Sequence, residues 1–158
     1  MSGCRLTWLI ECDAAGDGDE ARLQALLDTC LAEHELDEAA LTILLIDDAE
    51  SARLHGEHFD DPTSTDVMTF PEGAADPDSG LVHLGDLAVN AALAARLGPQ
   101  QHPGSDQPAA DELTLYILHG LLHLLGYDDR HDVARQRMWD AQRRLLSSVG
   151  ISIAAEPQ

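Results

Sequence analysis

Two histidines four residues apart carry the strongest chemical signal in this sequence. His119 and His123 belong to the stretch HGLLHLLGYDDRH. On a helix, this spacing places both side chains on one face, with their Cβ atoms about 5–6 Å apart. Two imidazole nitrogens so placed can bind one zinc ion at roughly 2.0–2.1 Å. A lone histidine on an apolar helix is more often a core residue with satisfied nitrogens, but the pair and the residues that follow it favour a metal site.

The residues after the pair can supply a third ligand. Gly126 favours the left-handed backbone that ends many helices. The chain can therefore turn back and bring Asp129 or His131 to the metal. Three protein ligands leave a fourth position open, as in catalytic zinc sites. The stretch predicts one zinc ion per chain, held by His119, His123 and either Asp129 or His131.

Short elements of both kinds must position this site. The helix that carries the pair is apolar on nearly every face, which is typical of a buried helix. Four strands and five helices predict a single-domain α+β fold over residues 1–158, with 150–158 as a loose tail. The strands are expected at 5–12, 41–46, 66–70 (ended by Pro71) and 81–89. The helices are expected from Glu20, over 49–58, from Asn90 to Gly98, from about Pro108 to Gly126, and over 131–148.

The net charge of the chain limits which parts of its surface can bind nucleic acid. Asp and Glu total 29 against 9 basic residues, and the formal net charge is −20. This balance repels nucleic acid over most of the surface. All the basic residues are arginines, and five of them lie within 130–144. That cluster is either a solvated helix face or a phosphate-binding patch beside the metal, because arginine suits phosphate geometry. Its members are Arg130, Arg135, Arg137, Arg143 and Arg144.

The remaining composition predicts a cytoplasmic protein. Cys4, Cys12 and Cys30 lack the spacing of metal ligands, and we expect reduced thiols. The first ten residues lack the pattern of a signal peptide. No apolar stretch reaches the roughly 18 residues that a membrane span needs. We therefore expect no membrane partner.

Three motifs resemble those of the YbeY family of bacterial rRNA maturation factors, in the same order. HGLLHLLGYDD resembles the family's His-Gly-x-Leu-His-Leu-x-Gly-Tyr-Asp-His signature. PTSTDVMTFP, from Pro62 to Pro71, resembles its Thr-Asp-Val-Leu-Ser-Phe-Pro stretch, and LGDLAV, from Leu84 to Val89, its Leu-Gly-Asp-Ile-Val-Ile strand. The resemblance implies a small mixed β-sheet flanked by helices, with zinc in a cleft. It also implies a zinc-dependent, single-strand-specific endoribonuclease in small-subunit rRNA 3′-end maturation and ribosome quality control. Its partners would be rRNA and the small subunit or its assembly proteins.

The sequence departs from the family at two positions. Asp129 stands where the family has its third zinc ligand, a histidine. We favour Asp129 over His131, because the turn at Gly126 fixes which position returns to the metal and a carboxylate also binds zinc. Phe59 stands where the family carries a functionally important arginine. Arg53 or the 130–144 cluster would have to supply that charge.

A nuclease also needs groups that move protons. Beside the zinc ligands His119 and His123, the candidates for an acceptor or base are Asp86 and Asp128. In their ordinary roles, Asp86 would pair with backbone at a strand end and Asp128 would form a turn. Asp66 is expected to be a structural acceptor.

Two other functions compete with this interpretation. Zinc peptidases share the histidine spacing but need Glu as general base in His-Glu-x-x-His, and Gly120 occupies that position. A non-catalytic, metal-stabilised ribosome-assembly factor fits the acidity and the missing arginine, since affinity for phosphate needs cationic groups.

Overall fold

The computed structural model describes residues 3–10, 20–36 and 38–153. Within them lie four strands and five helices, which confirms the α+β class. In chain order they are β1 (Gly3–Ile10), α1 (Glu20–Glu33), β2 (Glu38–Ile46), α2 (Asp48–Phe59), β3 (Val67–Ala75), β4 (Val82–Asn90), α3 (Ala91–Gln101), α4 (Pro108–Leu124) and α5 (Asp132–Ser147).

The strands form one mixed sheet in the order β1-β2-β4-β3. β1 and β2 run parallel, as do β2 and β4, whereas β3 runs antiparallel to β4. Alternate residues of β2 are buried on the main core face, among them Leu41 and Ile43. Leucines of α1, the apolar residues of α4 and the buried side of α5 complete this core. The opposite face holds a smaller cluster around Ile46, Met68 and Ala88.

The central helix α4 lies very close to the sheet. Residues such as Ile117, Leu118 and Leu121 are fully buried, as the all-round apolar pattern predicts. A Cβ atom at Gly120 would lie 2.8 Å from the nearest methyl of Leu87, so a larger residue there would require the Leu87 side chain to shift. The contact fixes α4 against the sheet and therefore fixes the histidines on either side of Gly120.

Three predicted element ends were wrong by three residues or more. β2 begins at Glu38 and not at Leu41. β3 continues beyond Pro71 to Ala75, with an irregular register between Pro71 and Ala74. An edge strand tolerates proline because one of its sides needs no N–H donor, and β3 is an edge strand. α3 continues beyond Gly98 to Gln101 with Pro99 inside it. Gly98 serves close packing, since a Cβ there would lie 2.6 Å from the carbonyl oxygen of Pro108.

The predicted loose tail was wrong at its beginning. Gly150 turns the chain at φ +83°, and Ile151 then packs into the core with 1% of its surface exposed. The Ile151 N–H donates to the Leu146 carbonyl at 2.9 Å. Residues 154–158, like the expected end of the first strand at 11–12, lie outside the described residues. None of the described helices is both long and apolar enough to cross a lipid bilayer.

Candidate metal centre

His119 and His123 lie on the same face of α4, near its C-terminal end. Their Nε2 atoms are 3.1 Å apart, and their rings are nearly perpendicular at 84°. About a quarter of each side chain is exposed. Both rings are therefore held by the fold while their Nε2 atoms meet at an accessible surface.

A glycine turn ends α4 and reverses the chain. Gly126 adopts φ +103°, and its N–H donates to the His123 carbonyl at 3.0 Å. The Tyr127 N–H donates to the Leu122 carbonyl, also at 3.0 Å. These two bonds form the Schellman motif, in which the left-handed residue is usually glycine. The predicted helix stop at Gly126 is thus confirmed.

The turn returns Asp129 to the two histidines. Its Oδ2 lies 3.5 Å from Nε2 of His123 and 3.8 Å from Nε2 of His119. One ligand atom from each of the three residues lies within 4.8 Å of the others. We call these three residues the metal-site cluster.

The other acidic and histidine candidates of this turn lie differently. His131 is exposed at the N-cap of α5 and does not belong to the cluster found among the described residues. Asp128 accepts from the Arg130 N–H at 2.9 Å and from its Nε at 3.0 Å. These Arg130 bonds lower the pKa of Asp128. Of the two proposed third ligands, the geometry favours Asp129.

Oxygen acceptors fix both imidazole rings from behind. Nδ1 of His119 lies 2.5 Å from Oε1 of Gln142, and Nδ1 of His123 lies 3.2 Å from the Tyr127 carbonyl. An Nδ1–H that donates to oxygen leaves the Nε2 lone pair free for a ligand. In this tautomer two Nε2 lone pairs and the Asp129 carboxylate face one point, and all three are acceptors.

The donor set therefore fits a metal ion. Acceptors that converge at 3.1–3.8 Å repel one another unless a cation or a proton lies between them. Two imidazoles and a carboxylate are ligands that zinc takes at catalytic sites. Burial lowers the pKa of His119, although the Gln142 hydrogen bond acts in the opposite direction. The neutral ring that results is the form that binds metal.

Sequence reasoning missed two contributors to this centre. Gln142 is 1% exposed on the buried side of α5, and its Nε2 has no hydrogen-bond partner among the described residues. A glutamine on an otherwise apolar stripe was the available signal. The carboxylate charge of Asp66 partly opposes the burial that lowers the pKa of His119, and its Oδ1 accepts from the Val67 N–H at 2.7 Å. The structural acceptor role expected of Asp66 is thus present beside an electrostatic one.

Asp86 and Phe59 have contacts of a different kind. Asp86 is exposed on β4, with Oδ1 3.7 Å from Nε2 of His83. Phe59 is 50% exposed, and its ring contacts His55 and Phe70. The structure does not bring either residue into the metal-site cluster.

Arg53 does not offer a free charge in place of the family arginine. Its guanidinium donates to Glu50 at 2.5 Å and to Glu57 at 2.7 Å. Both acids lie on the same helix, within one turn of Arg53 on either side. In the 130–144 cluster, Arg130, Arg135 and Arg144 are likewise bonded to acids. Within the described residues, the two arginines of that cluster without a carboxylate partner are Arg137 and Arg143.

Known proteins resemble this chain in sequence and in fold. The family model described as Endoribonuclease YbeY matches residues 13–150. The chain is 38% identical over 147 residues to an endoribonuclease YbeY of Acidothermus cellulolyticus, covering 84% of each protein. It is 39% identical over 129 residues to that of Kineococcus radiotolerans, covering 73% of this chain and 71% of the relative. The solution structure of TM1509 from Thermotoga maritima shares the fold, with a TM-score of 0.56, 21% identity and coverage of 92% and 88%.

Proposed function

The chain belongs to the endoribonuclease YbeY family, and we propose that it is a zinc-dependent endoribonuclease specific for single-stranded RNA. Its proposed place is the cytoplasm, in maturation of the small-subunit rRNA 3′ end and in ribosome quality control. Its partners there are rRNA and the small subunit or its assembly proteins. The buried thiols of Cys4 and Cys30 are consistent with a reducing compartment.

The metal-site cluster is the observation that carries this proposal. Three acceptor atoms converge at a surface, and two hydrogen bonds set the tautomers that ligation needs. Three protein ligands leave a coordination position for water or substrate. A structural zinc site, by contrast, is closed by four protein ligands. The count of ligands thus favours catalysis.

In the proposed mechanism, His119, His123 and Asp129 hold the ion. A zinc ion bound there would polarise a phosphoryl oxygen and favour ionisation of a water. Gln142 and the Tyr127 carbonyl keep the two rings in their ligating orientation. The chain's remaining task is to accept the proton of the attacking water and to hold the RNA.

Asp86 and Asp128 are the proposed proton acceptors. The bonds from Arg130 lower the pKa of Asp128 and so weaken it as a base, whereas Asp86 is exposed beside His83. We expect Asp86→Ala or Asp128→Ala to slow RNA cleavage without loss of zinc. An unchanged cleavage rate with zinc bound would remove that residue from the mechanism.

The test of the proposed function is cleavage of a single-stranded RNA that carries a small-subunit rRNA 3′ end. Zinc-loaded wild type, chelated wild type and zinc-treated His123→Ala are compared at two salt concentrations. Cleavage by the zinc-loaded wild type alone is the expected result. Equal, negligible cleavage in all three, with zinc bound to the wild type, would contradict the nuclease function.

That second result would favour a non-catalytic, metal-stabilised ribosome-assembly factor. The observations in its favour are the net charge of −20 and the aromatic residue Phe59 at the position of the family arginine. Both reduce affinity for RNA phosphates. The discriminating measurement is whether RNA cleavage depends on the ligands or appears as uniform background.

The packing of Gly120 argues against a zinc peptidase. A peptidase of this spacing needs a glutamate there as general base. The position faces Leu87 and Val67 so closely that even a Cβ atom would lie 2.8–3.1 Å from their methyl groups. A casein assay with added zinc checks this, and His123-dependent cleavage of casein would restore the peptidase interpretation.

A further inference from the structure

A pocket lies next to the turn that carries Asp129 of the metal-site cluster. It has a volume of about 280 Å³, and His34, Gly126, Tyr127, Asp128 and Arg137 line it. We call it the Arg137 pocket. The pocket shares residues with the turn that carries Asp129, because Gly126, Tyr127 and Asp128 directly precede Asp129. The carbonyl of Tyr127 also accepts from Nδ1 of His123.

Arg137 differs from most arginines of this chain in its charge environment. Seven of the nine arginines have a carboxylate oxygen within 3.4 Å. In residues 3–10, 20–36 and 38–153, Arg137 and Arg143 have no such partner. Both are exposed on α5, but only Arg137 lines the pocket. An uncompensated guanidinium is unusual on a surface whose net charge is strongly negative.

The other polar groups of the pocket are already paired. Asp128 is bonded by Arg130 at 2.9–3.0 Å, so its negative charge is compensated. His34 lies 2.7 Å from the Cys30 carbonyl through Nδ1 and 2.9 Å from the Tyr127 hydroxyl through Nε2. Arg137 is therefore the group that gives the pocket its positive charge and its free N–H donors. A guanidinium with free donors suits the oxygens of a phosphate.

We propose that Arg137 binds a backbone phosphate of the single-stranded RNA, next to the phosphodiester that lies at the metal-site cluster. This inference rests on the proposed ribonuclease function and adds the residue that holds the strand. It also assigns a role to one arginine of the 130–144 cluster, while Arg130, Arg135 and Arg144 are engaged with acids. Arg137 acts in binding, and the chemical step belongs to other groups.

The test measures binding separately from cleavage. Fluorescence anisotropy with a 5′-labelled single-stranded RNA is recorded for wild type, Arg137→Gln and Arg143→Gln at several KCl concentrations. The binding measurement is made once with added zinc, with a check that the RNA remains intact, and once with a metal chelator. Arg143→Gln is the matched control, since it removes an equally unpaired arginine of α5 from outside the pocket. We expect Arg137→Gln to weaken binding about tenfold, the loss of one charge-assisted contact.

The salt dependence sharpens the expected result. Loss of one phosphate contact reduces the slope of log Kd against log salt by about 0.7 for single strands. Arg137→Gln should show this reduction, Arg143→Gln should keep the wild-type slope, and Arg137→Lys should recover part of the affinity. Equal affinities and slopes for Arg137→Gln and Arg143→Gln would overturn the proposal.

Two further results separate the pocket from the function. If cleavage depends on His123 but Arg137→Gln binds RNA as tightly as wild type, the proposed role of Arg137 is overturned and the nuclease function stands. Arg137-dependent RNA binding without cleavage by any form would support the pocket and contradict the nuclease. The same guanidinium could instead bind free phosphate, and binding of inorganic phosphate to wild type and Arg137→Gln tests this alternative. Arg137-dependent phosphate binding with unchanged RNA affinity would overturn the assignment to RNA.

Discussion

The two ends of α4 both bring histidine and carboxylate side chains together, but they satisfy them differently. At the N-terminal end, Nε2 of the buried His102 lies 2.9 Å from Oε1 of Glu112, and both side chains are 4–6% exposed. Asp111 is bonded there by Arg22 and by Ser105, each at 2.6 Å. Each of these carboxylates has a donor, as buried polar groups in folded proteins usually do.

At the C-terminal end, the groups that lie close together are all hydrogen-bond acceptors. His119, His123 and Asp129 converge, and the Nδ1–H groups of both rings point away toward Gln142 and the Tyr127 carbonyl. The cluster is also more open, with 25–44% of each side chain exposed. Matched donors and acceptors at the N-terminal end indicate a structural pair. Unmatched acceptors at the C-terminal end indicate a candidate site for a metal ion.

The largest expected effect concerns the third ligand. Asp129→Ala should weaken zinc binding by more than about 100-fold, the upper range for loss of an outer hydrogen-bond partner of a ligand. His131→Ala should leave zinc affinity unchanged, because His131 is exposed at the start of α5. Competition with a zinc chelator of known affinity measures both. Loss of zinc only in His131→Ala would reverse the assignment of the third ligand.

A substitution in the His102–Glu112 pair at the N-terminal end of α4 should change the stability of the protein and leave its zinc affinity unchanged. Glu112→Ala leaves buried His102 without its partner and should lower the free energy of unfolding by about 3 kcal/mol. Zinc affinity should not change, since Glu112 lies two turns from His119 along α4. Urea unfolding and zinc competition on the same variant check this. A large loss of zinc affinity with little loss of stability would break the contrast between the two ends.

Gln142 should matter through the orientation of His119. Gln142→Leu keeps the buried volume but removes the acceptor of Nδ1, and zinc affinity should fall by about 10–100-fold. Gln136→Leu is the control on the same helix, because Gln136 is exposed and donates to Asp140. A purely packing role for Gln142 predicts changed stability with unchanged zinc affinity, and that outcome would contradict the orienting role.

The smallest expected effect is on the free energy of unfolding at acidic pH, through His119. Burial lowers the pKa of His119 below its ordinary value of 6.5, so the unfolded chain takes up this proton first as the pH falls. The free energy of unfolding of the zinc-free protein should therefore decrease below about pH 6.5, until the pH passes the folded pKa. His119→Gln should show a shallower decrease in urea titrations from about pH 7 to 5. An identical pH profile in the variant would contradict the burial of this ring.

The local part of the candidate site was predictable from sequence. The spacing of His119 and His123 sets their shared face, and Gly126 sets the turn, so both follow from helix geometry over a few residues. The preference for Asp129 followed from the same turn. The apolar pattern of α4 also predicted its burial. Each of these inferences depends on neighbours in the chain.

The parts that depend on distant packing were not predictable. Gln142 contacts His119 across 23 residues, and that contact exists only because α5 packs beside α4. Proline at position 71 indicated a strand end, but an edge position tolerates it. The burial of Ile151 depends on the turn at Gly150, which returns the chain to the core. Periodicity alone does not specify which surface an element meets.

The decisive measurement is the zinc content of three forms of the protein. Wild type, His123→Ala and His102→Gln are loaded with zinc, freed of excess by gel filtration and analysed by elemental mass spectrometry, with circular dichroism as the check on folding. We expect about one zinc ion per chain in wild type and His102→Gln, and almost none in folded His123→Ala. Stoichiometric zinc in His123→Ala, or a wild type that takes up none, would contradict a zinc site that depends on His123.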